Sequence, residues 1–316
     1  MPPDLPTHLL LPDVDAVTGA FSYSGRAMAA ELLRRGRHVR TRTGHPGRAP
    51  AGTPIDVRPL DFGDPRGMRE SLEGVGTLFN TYWVRFGHGR VTHDLAVRNS
   101  IALFAAAKEV GVQRIVHVSI THPSADSPFP YFRGKAEVEE ALAGSGIPHT
   151  ILRPAILFGG DGVLINNIAW LLRRLPVFAV GGGGAYRVRP MHIDDLARLA
   201  VDSSAAEGAA GSSTVDAVGL ERPRFIDMVR QLKDAIGVRT PIVRVPGFFI
   251  PVAGAVLNLA LRDVVLTADE YKAMAAGLAD TDGPATGDTS LGGWISANAP
   301  SLGRTYAHEI KRHFRN

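Results

Sequence analysis

Residues 14–33, VDAVTGAFSYSGRAMAAELL, run from Val14 to Leu33. An apolar run ends at Thr18-Gly19, small residues carry the chain to Gly25, and an Ala/Leu-rich segment with a period near 3.6 continues to the basic stop Arg34-Arg35-Gly36. This predicts a strand, a glycine turn and a helix. Such a turn suits a pyrophosphate, because the first amides of a helix lack intrahelical acceptors and the helix dipole favours negative charge there. Gly19 is expected to permit the tight turn and Gly25 the close packing of helix on strand. Phe21, Ser22, Tyr23 and Ser24 form the loop between them. Ser22 stands where this kind of turn usually has its middle glycine; its small side chain still admits a phosphate and adds a hydroxyl. A glycine-rich βα turn without a ligand is the alternative.

The 316 residues, 45% of them apolar, suffice for one large α/β domain or for one such domain with a smaller partner. The absence of cysteine excludes a disulfide framework, a thiol nucleophile and Cys-type zinc or iron–sulfur sites, and no metal is expected. The opening MPPDLPTHLL lacks a basic stretch followed by a long apolar run, so no signal peptide is expected and the location is expected to be cytoplasmic. The longest apolar stretch, Gly247 to Leu261, is short and broken by Pro and Gly for a bilayer span. A formal charge of +4 carried by scattered arginines argues against nucleic acid as a partner.

A second strand, His38 to Thr43, ends in Thr43-Gly44-His45-Pro46-Gly47-Arg48. At this position a carboxylate would bind a ribose 2′-hydroxyl, whereas cations and hydroxyls accept a 2′-phosphate. No acid is present, which favours NADP over NAD, with Thr43, Gly44, His45 and Arg48 near the phosphate and Arg42 a weaker candidate. Ile55 to Leu60 reads as a third strand, closed by Asp61-Phe62 where a side chain can flank an adenine. Asp64-Pro65 starts a helix through Leu72. Val75 to Asn80 is a fourth strand, ending in Asn80-Thr81-Tyr82-Trp83 at the edge where ligands bind in such sheets. A helix over Asp94–Val110 and a fifth strand over Ile115–Ser119 follow. Strands alternating with helices at this interval predict a parallel, doubly wound sheet.

The strand RIVHVSIT, Arg114 to Thr121, brings hydroxyls to its end, and Pro130-Tyr131-Phe-Arg-Gly-Lys135 follows a Pro/Ser-rich loop. Tyr131 and Lys135, four apart at a helix start, share one face. An ammonium beside a phenol stabilises phenolate, so the phenol can exchange a proton with a substrate oxygen. Ser119 or Thr121 would polarise that oxygen; the loop length does not decide between them. Such a trio suits hydride chemistry with a nicotinamide.

TGAFSYSG, VHVSIT, YFRGK, ILRPAILFG at Ile151–Gly159 and VRPMHIDDLARLAV at Val188–Val201 together resemble the short-chain dehydrogenase/reductase superfamily in its extended or atypical branch. They are similar to NmrA-like proteins, NAD-dependent epimerase/dehydratases and the nucleotide-binding accessory subunit of respiratory complex I. The resemblance implies Tyr131 as acid/base and Lys135 as its pKa tuner and ribose ligand. It further implies Ser119 or Thr121 as the carbonyl-binding hydroxyl, and Arg153-Pro154-Ala155-Ile156 along the nicotinamide. The family's helix asparagine has no counterpart at its usual place, Asn99 lying nearby. His192 with Asp194-Asp195 would mark the chain's return to the sheet, the Asp pair as a helix cap.

The expected fold is a Rossmann sheet over residues 1–157, with 158–316 completing it and forming a small, mainly helical substrate lobe. There Leu164–Arg174 is an amphipathic helix, and Asn166, Asn167, Tyr186 and Arg189, with Tyr82, are the candidate substrate contacts. Glu221–Ile236 reads as a surface helix, Thr281–Gly293 as a loop, and Ser301–Phe314 as a closing basic helix packed by Tyr306, Ile310 and Phe314. The apolar face of Gly247–Leu261 is expected in the core; a lipophilic pocket, a protein partner and a peripheral membrane surface are its other destinations. The leading expectation is an NAD(P)-dependent oxidoreductase acting on the carbonyl or alcohol of a small, partly apolar metabolite. A nucleotide-sugar epimerase or dehydratase with tightly held NAD and a non-catalytic NADP-binding sensor or assembly factor are the alternatives. A homodimer stays open.

Overall fold

The computed structural model describes residues 14–205 and 211–314; the opening decapeptide, and with it the expectation about a signal, lies outside them, as does the side chain of Phe314. Through the first half the elements are β1 (Val14–Thr18), α1 (Tyr23–Arg34), β2 (His38–Thr43), β3 (Asp56–Pro59), α2 (Pro65–Glu70), β4 (Val75–Asn80), α3 (His93–Glu109), β5 (Arg114–Val118), α4 (Pro130–Gly144) and β6 (His149–Pro154). The second half continues with β7 (Ile156–Phe158), α5 (Val163–Arg174), β8 (Phe178–Gly181), β9 (Pro190–His192), α6 (Ile193–Ala205), β10 (Ser213–Ala217) and α7 (Phe225–Ala235). It closes with β11 (Ile242–Val245), α8 (Phe249–Leu261), α9 (Ala268–Ala275), α10 (Leu291–Asn298) and α11 (Glu309–Phe314).

Seven strands form one sheet in the order β10-β6-β5-β4-β1-β2-β3. β1 pairs parallel with both β2 and β4, and the pairings β2–β3 and β4–β5 are parallel too. Strand order therefore reverses between β1 and β4, the switch at which doubly wound sheets open a crevice beyond their carboxyl ends. This is the expected parallel α/β sheet. The chain divides into two units, 14–118 with 136–151 and 200–214, and 119–135 with 152–199 and 215–314.

In the first unit Ala16, Leu78 and Ile115 from neighbouring strands pack with Leu72, Leu103, Val138 and Leu142 from the helices. β4 is buried along its whole length, as a central parallel strand covered on both faces must be. A charge also enters this core on β1: the Asp15 carboxylate, fully buried, meets the Arg37 guanidinium at 2.6 Å. The second unit has its own core, with Phe158, Leu172, Val180, Met228, Leu232 and Ile295. Two small parallel pairs, β8–β11 and β7–β9, belong to it.

Four expectations change in the second unit. α7 starts at Phe225 because Arg222 precedes Pro223 and is biased away from helix, and its buried Phe225, Met228, Val229 and Leu232 make it a core helix rather than a surface one. The loop after Thr281 gives way at Leu291 to α10, whose Gly292-Gly293 hide it from propensity; Ser290 and Glu221 cap it by accepting the Gly293 and Leu291 amides. Residues 301–308 are not helical, because Asn166 and Asn167 hold that segment by its backbone. α11 begins only where the Asp263 carboxylate accepts the Glu309 and Ile310 amides, and Tyr306 leans on Trp170 at a ring separation of 5.1 Å. Finally, α8 buries Ile250 and Gly254 but leaves its other apolar face exposed, so core packing covers half of what was expected.

Burial, opposed by Arg37, pushes the Asp15 carboxyl up to about 6. An unfolded aspartate titrates near pH ~3.9. The protonated form is thus favoured by folding, so this group's contribution is complete below pH ~4 and is lost as pH rises through about 6. Denaturant titrations of the wild type and Asp15→Asn between pH 4 and 8 should show the wild type losing up to about 2–3 kcal/mol relative to the variant as pH rises. A pH-independent difference would contradict the assignment.

Candidate functional site

The turn after β1 is held by its own atoms. Gly19 takes φ +68°, its amide donates to Arg42 O at 2.7 Å, and its carbonyl accepts both the amide and the hydroxyl of Ser22, at 2.8 and 2.6 Å. A Cβ on Gly25 would stand 2.2 Å from Gly19 O, so only glycine lets α1 approach β1 this closely. Ser22 is the N-cap of α1 with extended backbone, yet its hydroxyl faces back to Gly19 rather than to the helix amides. The amides of Ser24 and Gly25 therefore begin a helix that no side chain caps, the arrangement an anionic group completes. This cradle fits a dinucleotide pyrophosphate.

The ends of β1 and β4 are sewn together beside it. Thr18 Oγ1 accepts the Thr81 amide at 2.7 Å and donates to Asn80 Oδ1, and Thr81 Oγ1 donates to Thr18 O at 2.6 Å. Asn80 also accepts the Tyr82 amide and donates to His117 Nδ1 on β5 at 3.1 Å. Asn80, expected against the coenzyme, is fully buried and uses its amide to fix three strand ends. Tyr82 remains at the edge: its ring lies 4.8 Å from that of Phe62, and its hydroxyl accepts from Asn99 Nδ2 at 2.8 Å. Burial holds this phenol above the ordinary tyrosine range, with the Asn99 hydrogen bond acting against it. Sequence reading does not single out Thr18 or His117 and sets Asn99 aside; only the fold brings them to the strand ends.

At the end of β2, Thr43 Oγ1 accepts the His45 amide at 3.0 Å and so shapes the loop that carries Gly44, His45 and Arg48, the last in a 3-10 turn over 46–48 and exposed. Arg42 points the other way. Its guanidinium is buried, donates to Met68 O and Pro59 O, and is lowered to about 10 by that burial, so the weaker phosphate candidate is a structural cation under β3. Asp61 folds onto the Gly63 amide at 2.7 Å, leaving Phe62 half-buried beside Tyr82.

In the second unit the two candidate hydroxyls part. Thr121 Oγ1 donates to Leu278 O at 2.7 Å, and the next residue, His122, in the left-handed region at φ 52°, bonds Asp280 O. Ser119, 4% exposed and anchored by its amide on Leu152 O, has a hydroxyl with no hydrogen-bond partner among the described residues. Buried polar atoms are rarely orphaned without a functional reason. After the loop, Pro130 opens α4 as proline favours at a first helical position. Tyr131 is half-buried in its first turn, and Lys135, one turn on, is only 2% exposed. Pro154 closes β6 with its carbonyl on the Thr121 amide, and Ala155-Ile156 lead into β7.

The expected substrate contacts of this unit are engaged elsewhere. Asn166 bonds Thr305 O and the Gly303 amide; Asn167 bonds both the carbonyl and the amide of Ala307. Arg189 donates to the carbonyls of Gly219, Thr281 and Gly283. Tyr186 stacks on Phe225 at 5.2 Å, and burial raises its phenol. Asp194 and Asp195 sit within the first turn of α6, and Asp195 accepts the Asp288 and Thr289 amides and the Thr289 hydroxyl. Asp195 therefore braces the 288–289 loop instead of capping its own helix, while the Asp194 carboxylate lies 3.7 Å from His192 Nδ1.

Residues 19–167 match the family model described as NAD(P)H-binding. The chain is 24% identical over 254 residues to the mitochondrial NADH dehydrogenase [ubiquinone] 1 alpha subcomplex subunit 9 of Arabidopsis thaliana, covering 73% of this chain and 61% of that protein. It thus spans less than two thirds of that relative's length. The NADPH-dependent quinone oxidoreductase of Escherichia coli, solved with NADPH, superposes with a TM-score of 0.72 at 21% identity, over 91% of this chain and 99% of that one. The triphenylmethane reductase of Citrobacter sp. gives 0.73 at 19%, over 90% and 99%. At such identities the structural likeness speaks for the fold. No helix among the described residues is long and apolar enough to cross a membrane. Residues 19–167 thus match an NAD(P)H-binding domain, and the chain around them has the Rossmann-like α/β fold of these two solved enzymes.

Proposed function

We propose that this chain is an NADP-preferring oxidoreductase acting on the carbonyl or alcohol of a small, partly apolar metabolite. The observation that carries the reading is the buried Ser119 hydroxyl, unpartnered among the described residues, in the unit that also holds Tyr131 and the buried Lys135 at the start of α4. The Gly19–Gly25 turn, through Phe21, Ser22, Tyr23 and Ser24, would hold the pyrophosphate. Thr43, Gly44, His45 and Arg48 would hold a 2′-phosphate, Asp61 and Phe62 would flank adenine, Lys135 would bind ribose, and Pro154, Ala155 and Ile156 would line the nicotinamide. Asn80, Thr81 and Tyr82 would also meet the coenzyme, Asn80 through its backbone. When bound, the coenzyme supplies or takes the hydride.

The chain's own residues handle the oxygen. Ser119 Oγ donates to the substrate carbonyl, relieving its own orphaned state and polarising the bond. The Tyr131 phenol passes its proton to that oxygen as it becomes an alcohol, and the Lys135 ammonium stabilises the phenolate left behind, which takes its next proton from solvent. Oxidation runs the same transfers backwards. Likeness to a complex I subunit favours a second reading, in which the chain binds coenzyme without turnover.

Two sets of variants test this. With NADPH and a panel of quinones and aldehydes, Tyr131→Phe should lower turnover by about 10²–10⁴ while calorimetry gives unchanged NADPH affinity. Ser119→Ala should lose a smaller factor, and Thr121→Val should keep turnover but melt earlier. Wild-type and Tyr131→Phe protein behaving alike would leave the non-catalytic reading. Arg48→Ala should weaken NADPH several-fold and leave NADH unchanged; equal losses for both would remove the 2′-phosphate assignment.

A further inference from the structure

The solvent side of α8 gathers most of the large hydrophobic residues exposed among the described residues. From Phe248 to Leu261 the chain carries no charged residue. Phe249, Val252, Val256 and Leu259, spaced three and four apart, form one exposed face, with Leu259 81% and the preceding Phe248 71% exposed. The opposite face is locked down. Ile250 packs where a Cβ on Gly181 would meet it, Gly254 lies close to Leu266 O, and Asn258, the segment's sole polar side chain, bonds the Val265 amide at 2.7 Å and Leu266 O at 3.1 Å. The helix therefore presents its apolar side rigidly and cannot roll it inward.

The residues flanking this helix in the chain are cationic. Arg244 precedes the helix and Arg262 caps it in the left-handed conformation, both exposed and with no partner for either guanidinium among the described residues. The nearby acids are taken: Asp263 caps α11 and Glu270 closes the capping box of α9. On α9 the exposed Asp269 and Lys272 offset each other. An apolar stripe with aromatic residues at one end and free arginines at both is complementary to the headgroup region of an anionic bilayer. Size points the same way. Thirteen residues give a helix about 20 Å long, and a stripe about 10 Å wide covers on the order of 200 Å². That is well below the roughly 800 Å² per partner of a stable protein interface.

We propose that α8 docks this protein on anionic lipid surfaces, with Phe248, Phe249, Val252, Val256 and Leu259 entering the interface and Arg244 and Arg262 meeting lipid phosphates. The full chain should float with vesicles of phosphatidylcholine plus phosphatidylglycerol and much less with phosphatidylcholine alone. Phe249→Ser combined with Leu259→Ser should reduce flotation about tenfold, and Arg244→Glu with Arg262→Glu should remove the preference for phosphatidylglycerol. NADPH affinity and melting temperature should stay unchanged in both variants. A Phe249→Trp variant should gain fluorescence quenching by brominated lipid relative to the wild type. Failure of the wild type to float, or a dimer in light scattering that disappears in Phe249→Ser/Leu259→Ser while vesicles are ignored, would overturn the proposal.

Discussion

The constraint on which the first βα unit depends is the approach of Gly25 to the carbonyl of Gly19. With 2.2 Å between that oxygen and any Cβ at position 25, β1 and α1 have one permitted spacing. Everything at the crevice follows from it. The Gly19 carbonyl, turned toward the start of the helix, draws the Ser22 hydroxyl onto itself, and so the residue in the cap position does not cap. A serine at this place is usually expected to satisfy an amide of the first turn. Here the side chain in the cap position turns away from the first-turn amides, a consequence of serine standing where a glycine would have no hydroxyl to turn.

This part of the molecule was legible from residues 14–33 because it rests on local rules: period, turn chemistry and helix termini all act over a few residues. The sheet order was legible for the same reason, since βα alternation leaves few topologies. What could not be read is which side chains the distant chain would occupy. Asn166 and Asn167 look like exposed amides on an amphipathic helix until residues 303–307 arrive, about 140 positions later, to pair with them. Arg189 looks like an anion ligand until three carbonyls surround it. The short helices failed for a different reason. α10 carries two glycines in its first turn and rests on caps from Ser290 and distant Glu221, whereas α9 starts at a full Thr267/Glu270 capping box, a local signature.

The two hydroxyls after β5 illustrate how satisfaction of polar atoms sorts structure from chemistry. Ser119 and Thr121 are both buried, two residues apart, and equally good on sequence. Thr121 has a carbonyl at 2.7 Å; if its hydroxyl turned to a substrate, Leu278 O would lose its donor, a cost of about 1–3 kcal/mol. Ser119 carries that cost already in the free protein. Binding a carbonyl oxygen would therefore gain at Ser119 what it would forfeit at Thr121, and the difference is about the whole value of one buried hydrogen bond. The same ledger explains Asn80, whose side-chain amide is spent on three strand-end contacts.

α8 presents the opposite case, apolar atoms left in water rather than polar atoms left dry. Scattered exposed hydrophobic residues need no explanation, but a helix face with no charge along its length does. Its inner side is anchored through Asn258 and the close approach at Gly254, and both anchors are specific: an alanine at 254 would press within 3.2 Å of Leu266 O. Such anchoring resists the cheaper solution of rotating the helix to bury the larger residues Phe249 and Leu259 and expose Gly254. The conformation is thus set by backbone fit on one side, and the apolar side is what remains outside. A helix positioned this way has a geometric reason to be there whether or not anything meets it, while a neutral stripe bounded by unpaired arginines is what an interface between water and anionic lipid selects.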